Sequence, residues 1–338
     1  MTHQLKRTID KVYQFWHWNE ELVLVQKHKL SFPDREQTIP YTSNYPAVFS
    51  FGQDELQVYD HPTIYQLSLQ NLQQEVVLSL PADLSLFKRV YDYYFCFKAD
   101  VNAPGKYVYQ LIDASSAVIK QGVVLSQLCF QDSNTDRFIY VNYPQETTVT
   151  CVTLINDSLL WEQNFNALNL PEGEDELKLK GFPEVIDGVL VTRIENAEHT
   201  YLIGLDMQTG SLLWHTKAYF LHQYHNGCIY TFHFADNKMN FCCIHLRDGL
   251  YKEADLTQEL LSHGITPTPS TGFCISEGQL YLSISYNKKV VILDLDLLKV
   301  LTVLPVDTEA SWIETPQAHG NRLYVRDEQQ TLHIYEKQ

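Results

Sequence analysis

No run in this sequence approaches the roughly 18 apolar residues that a membrane-spanning helix needs. The most apolar stretch, Val290 to Leu304, is interrupted by Asp294, Asp296 and Lys299. The first residues, MTHQLKRTIDKVYQFWHW, have neither the unbroken apolar core nor the small-residue cleavage site of a secretory signal. Cysteine is sparse and odd in number. Cys96, Cys129, Cys151, Cys228, Cys242, Cys243 and Cys274 are scattered along the chain, which argues against a disulfide framework and suits reduced thiols. A cytoplasmic protein without membrane contact is expected. Cations are scarce as well: 25 Lys plus Arg stand against 41 Asp plus Glu, a formal charge of −16. Such a surface repels phosphate backbones, which disfavours nucleic acid, and it steers a basic protein partner.

Chemical signatures are missing too. There is no Gly-x-Ser-x-Gly elbow, no His-Glu-x-x-His, no phosphate loop and no dinucleotide fingerprint. The one dense group of metal-capable residues is His222, His225, Cys228, His233, Cys242 and His245. It lacks a second close pair at finger spacing, and strands would spread it over several elements and both faces. The adjacent Cys242 and Cys243 would likewise point to opposite faces of a strand. The residues assign no catalytic group, cofactor or metal.

What the chain does have is aromatics, 21 Tyr and 16 Phe, which favour pleated, half-buried surfaces, and a repeat. The clearest unit, Gly181 to Lys217, reads as four strands separated by an Asp-Gly turn, a polar turn and a Thr-Gly turn. A glycine turn before an inner strand recurs at Asp187-Gly188, Asn226-Gly227, Glu277-Gly278 and His319-Gly320. A second turn, between the two outer strands, recurs at Thr209-Gly210, Asp248-Gly249 and Asn156-Asp157, with weaker equivalents near Glu20, Leu72, Ser116 and Leu298. Seven outer turns at a mean spacing of about 46 residues fit blades of four strands.

The pattern predicts an all-β, seven-bladed β-propeller of four-stranded antiparallel blades, one domain over residues 1–338. Residues 1–30 are expected to be a closure segment, opening with a short helix marked by Leu5, Ile9, Val12 and Trp16. Its strand Leu22–Gln26 would complete the last blade and pair the open sheet edge. A short helical insertion is expected over 255–264, where Asp255 and Gln258 read as a capping box, Leu256, Leu260 and Leu261 as an apolar stripe, and Gly264 as the stop.

Gly204-Leu205-Asp206-Met207-Gln208-Thr209-Gly210-Ser211-Leu212-Leu213-Trp214 resembles the repeat of pyrroloquinoline quinone-like β-propellers, in which a small residue, Asp, Thr-Gly and Trp recur at these spacings. Trp161, in a second Ser-Leu-Leu-Trp tetrapeptide after Asn156-Asp157, is a partial match, and Glu253 stands at the Trp position of the following unit. The resemblance is specific in one blade, partial in a second and rhythmic elsewhere, and WD-repeat propellers are equally acceptable relatives. It implies the fold and carries no function, because propellers host unrelated activities. The quinone enzymes themselves are longer, usually eight-bladed and exported.

Two groups of residues are candidates for partner binding. Glu172, Glu174, Asp175 and Glu176 form an acidic loop that could receive Lys or Arg, and Trp16 and Trp18 would be anchors if exposed. The expected function is a non-enzymatic protein-binding propeller. Its concrete form is an acidic immunity or inhibitor protein masking a basic, nuclease-type toxin or effector. The alternative is an enzyme acting on a small molecule or sugar at the channel mouth.

Overall fold

In the computed structural model, the residues described are 3–18, 21–51, 55–68, 70–90, 93–99, 107–124, 128–129, 137–141, 146–153, 155–156, 158–168, 170, 176–181, 183–217, 222–235, 238–268 and 272–338. Their strands pair antiparallel into separate four-stranded sheets, the blades of a β-propeller. Seven blades are each built from consecutive strands. Blade 1 takes Val12–Trp18, Glu21–Gln26, Lys29–Phe32 and Gln37–Pro40; blade 2 starts at Ala47, blade 3 at Ser85 and blade 4 at Leu128. Blade 5 has an inner strand split into Lys178–Leu179 and Glu184–Ile186, followed by Val189–Glu195, Thr200–Asp206 and Leu212–Lys217. Blade 6 is His222–His225, Cys228–Ala235, Lys238–His245 and Tyr251–Asp255; blade 7 is Gly272–Ser276, Gln279–Ile284, Lys289–Asp294 and Val300–Pro305. A composite eighth sheet closes the ring. Gln317–His319, Arg322–Arg326 and Leu332–Lys337 supply three strands, and the N-terminal His3–Ile9 pairs along Leu332–Lys337 as the outermost one.

Closure by an N-terminal strand is as expected, but the strand and the blade tally are corrected. Leu22–Gln26 lies in the second strand of blade 1, where Leu22, Val23, Leu24 and Val25 are at most 1% exposed. A strand buried on both faces sits inside a blade, whereas His3–Ile9 is exposed along most of its length, as an outermost strand must be. Leu5 and Ile9 belong to that strand, and Val12 and Trp16 to blade 1, so the expected N-terminal helix is two strands with Lys11 at φ 59 between them. The first outer turn is Pro33–Glu36, not the turn near Glu20. It was illegible because its left-handed position is Glu36, at φ 55, rather than glycine. The composite sheet is closed from the other end of the chain and has no outer turn. Seven outer turns therefore accompany eight sheets.

The outer turns share one backbone form. The residue at the left-handed position is Leu72, Ser116, Gly210, Gly249 or Leu298, with φ between 52 and 74. In blades 2, 5, 6 and 7 its N–H donates back to the carbonyl four residues earlier, as from Gly210 to Asp206 at 2.8 Å and from Leu298 to Asp294 at 2.9 Å. Glycine occupies only the two turns covered by a tryptophan of the preceding blade. A Cβ on Gly210 would lie 2.6 Å from the Trp161 ring, and one on Gly249 would overlap Trp214 Cβ. Each indole also donates to a carbonyl of the turn it covers, Trp161 to Met207 at 3.0 Å and Trp214 to Leu246 at 2.7 Å. Where Glu253 replaces the Trp, the next turn carries Leu298 instead of glycine.

The core is a set of wedges between neighbouring blades. Val23, Leu30 and Phe32 meet Leu56 and Val58 between blades 1 and 2. Phe232, Met239 and Phe241 meet Phe273, Leu280 and Leu282 between blades 6 and 7. Phe15, Leu22 and Leu24 meet Tyr324 and Ile334 between blades 1 and 8. The helix Thr257–Ser262 follows blade 6; Asp255 Oδ1 accepts the Thr257 N–H at 2.8 Å, and Leu256 and Leu260 join the wedge against blade 7 while Leu261 is exposed.

Candidate functional site

The first strand of each blade lines the ring axis, and those of blades 6 and 7 and of blades 7 and 8 touch each other. Two kinds of turn share one face of the disc. Met207, Leu246 and Leu295, in outer turns, donate their N–H groups to Gly188, Gly227 and Gly278 in the inner turns, at 3.0, 2.9 and 2.9 Å. We call this the glycine-turn face. The remaining loops meet at the opposite face, where Tyr41, Leu80, Leu256 and Val306 donate to His28, Pro62, Met239 and Lys288.

On the glycine-turn face, polar side chains bridge successive blades. Tyr224 of blade 6 donates its hydroxyl to Asp187 of blade 5. Gln223 clips blade 6 to blade 7, donating to Phe273 O at 2.7 Å and accepting from Ile275 N at 3.2 Å. Lys337 of blade 8 pairs with Glu277 of blade 7 at 3.5 Å. Between blades 8 and 1, Arg322 Nη1 reaches both oxygens of Asp34 at 3.0 and 3.2 Å. His17 and His319 stack there with ring centroids 4.4 Å apart. Burial, then the proximity of His319 and Arg322, lowers the His17 pKa to about 4 against the opposing pull of Asp34. The ring is neutral at pH 7, and its buried Nε2 has no hydrogen-bond partner.

The outer turns of this face open on carboxylates used as local caps. Asp206 accepts from the N–H groups of Gln208 and Thr209 and from the Thr209 hydroxyl. Burial acts to raise its pKa, but those donors hold it below the usual carboxylate range. Asp113 is lowered by the Ser115 hydroxyl and the Ala117 and Ser115 N–H groups, and Asp248 by the Leu250 N–H and His245. Asp294 accepts from Asp296 N and Leu297 N at 3.0 and 2.8 Å. These are Asx turns, in which a short carboxylate satisfies the N–H groups of a tight bend. Part of the negative charge of the sequence is thus built into the turn chemistry.

Of the sequence candidates for partner binding, only Glu176 and Trp16 have described side chains, and they stand in different blades. Glu172, Glu174 and Asp175 lie outside the described residues. Glu176 is exposed and paired with Lys178 at 3.4 Å, just before the inner strand of blade 5, where the chain enters from the opposite face. Trp16 is half-buried and packs against the wedge between blades 1 and 2. Trp18 ends the inner strand of blade 1; its side chain is outside the described residues. The metal-capable group is split by register. His225, Cys228 and His245 share one row across blade 6, while Cys242 points to the other face; the side chains of His222 and His233 lie outside the described residues. Among the described residues, no three His, Cys, Asp or Glu side chains are grouped to hold a metal ion. The bridges of the glycine-turn face leave no mark in the sequence: His17 and His319 stand at opposite ends of the chain, and no local pattern links them.

No known protein family matches the chain, and no curated protein matches it in sequence. Solved structures do. BamB from Moraxella catarrhalis aligns over 99% of this chain and 100% of its own, at TM-score 0.59 and 12% identity. The computationally designed Ika8 protein aligns over 97% of this chain and 96% of its own, at TM-score 0.58 and 11% identity. The WD40 β-propeller domain of Doa1 aligns over 100% and 97% at TM-score 0.42 and 11% identity. At these identities the likeness is one of fold. It agrees with the resemblance to pyrroloquinoline quinone-like propellers carried by Gly204 to Trp214.

Proposed function

We propose that this chain is a non-enzymatic, protein-binding propeller whose glycine-turn face receives a basic partner. The observation that supports this reading is the state of that face. Its carboxylates, Asp113, Asp206 and Asp248 among them, are held ionised by turn donors, and Tyr224, Gln223, Lys337 and Arg322 bridge successive blades there. Such a surface is pre-organised, anionic and stiff, which favours capture of a cationic protein by electrostatic steering. The concrete form is an immunity or inhibitor protein that covers the cationic working face of a nuclease-type toxin or effector in a compartment that keeps thiols reduced. Affinity capture with the tagged chain from its native host tests it. The expected result is one stable partner of high isoelectric point, with an association rate that falls steeply as salt rises from low to physiological strength. Recovery of no stable partner, or only of acidic ones, would sink the proposal.

A further inference from the structure

Blade 6 brings together two thiols that the sequence keeps apart. Tyr230 stands directly opposite Cys243 in the antiparallel register, and Cys228 lies two residues from Tyr230 on the same face. The three side chains share one face, and Tyr230 and Cys228 both lie close enough to Cys243 to act on its thiol. Both cysteines are free and only half-buried. By contrast Cys96, Cys151, Cys242 and Cys274 are buried, and Cys242 points to the other face, where its sulfur lies 3.1 Å from the Tyr251 hydroxyl. We propose that Cys228 and Cys243 are a reversible oxidation site, closing to a disulfide between the two central strands of blade 6 when a peroxide reaches them.

The reaction balances without any bound cofactor. One sulfur, as thiolate, attacks the peroxide O–O bond to give a sulfenic acid and release water. The neighbouring thiol displaces the second water and forms the S–S bond. Overall, two thiols and one hydrogen peroxide give one disulfide and two waters; the sulfurs lose two electrons and both thiol protons end in water. Burial, followed by the shared hydrogen bond with Cys228, pushes the Cys243 thiol up to about 11, while the Tyr230 hydroxyl opposes the rise. The thiolate fraction is therefore small at neutral pH and oxidation is slow, rising as pH rises. Diagonal partners on an antiparallel pair stand about 7–8 Å apart, beyond the ordinary disulfide span of about 4.4–6.8 Å. The bond forms only with local backbone movement and is strained, which makes it readily reducible.

Exposure of the intact folded chain to excess hydrogen peroxide at pH 8, followed by alkylation and mass spectrometry, tests the site. The expected product has lost two hydrogens per chain, contains a single linked peptide pair joining Cys228 to Cys243, and returns to the starting mass with dithiothreitol. Cys228→Ser and Cys243→Ser each abolish the loss, while Cys242→Ser retains it, with circular dichroism confirming that all three fold. A linkage that persists in Cys243→Ser, oxidation only to sulfinic or sulfonic acid, or no linkage in the folded wild type overturns the proposal.

Discussion

His17 illustrates how a single side chain couples the seam between blades 8 and 1 to pH. Its folded-state pKa is depressed to about 4 from an ordinary value of 6.5, so the unfolded chain binds this proton more readily. The contribution of the neutral ring is complete above pH 6.5 and is lost as pH falls toward 4. Allowing for solvent screening, the loss is on the order of 1–2 kcal/mol. Melting curves between pH 7 and pH 4 should therefore fall less steeply for His17→Phe than for the wild type; parallel slopes would remove His17 from the account. At Glu36 the opposite sign is expected. This exposed residue holds a left-handed φ of 55, which costs a non-glycine residue about 1–2 kcal/mol. Glu36→Gly should raise the stability measured in urea by about 0.5–1 kcal/mol after the glycine entropy cost. Trp214→Phe should lower it by about 2–3 kcal/mol, because the Leu246 carbonyl loses its donor and the wedge between blades 5 and 6 loses volume.

At the scale of the element, the outer turn shows what was legible and what was not. Leu72, Ser116 and Leu298 were found by spacing alone, and each holds the left-handed position that Gly210 and Gly249 hold elsewhere. Glycine signals that turn only where a tryptophan lies over it, so composition marks the packing of the neighbouring blade as much as the bend itself. Pro33–Glu36 has neither glycine nor covering tryptophan, so the sequence does not mark the first blade. The inner-turn glycines were legible throughout blades 5 to 8, whereas the bridges of the glycine-turn face depend on which blades become neighbours and leave no local trace. The closing strand makes a separate prediction. Deleting residues 1–9 removes a strand whose side chains are mostly exposed but whose backbone pairs with Leu332–Lys337. The expected loss is about 2–4 kcal/mol. The bare edge should also drive concentration-dependent association, visible by light scattering.

For the whole molecule, each blade relies on its neighbours, because the apolar wedges belong to pairs of blades and not to single sheets. A propeller of this kind carries its stability around a closed circuit, and its glycine-turn face is stiffened by bridges at successive seams. That rigidity suits a surface that recognises by shape and charge. It also explains why local motif searching finds no function here, since the groups on the glycine-turn face come from loops of different blades.

The closing strand has a mechanical side. His3 pairs with Lys337 and Ile9 with Leu332, so the two chain ends lie side by side at one end of a single antiparallel pair. Tension applied to both ends pulls that pair apart like a zipper, one rung after another, instead of loading all its rungs together in shear. Tension between His3 and Lys337 is therefore expected to open the disc at lower force than tension delivered through its turns, where neighbouring sheets and their wedges resist together.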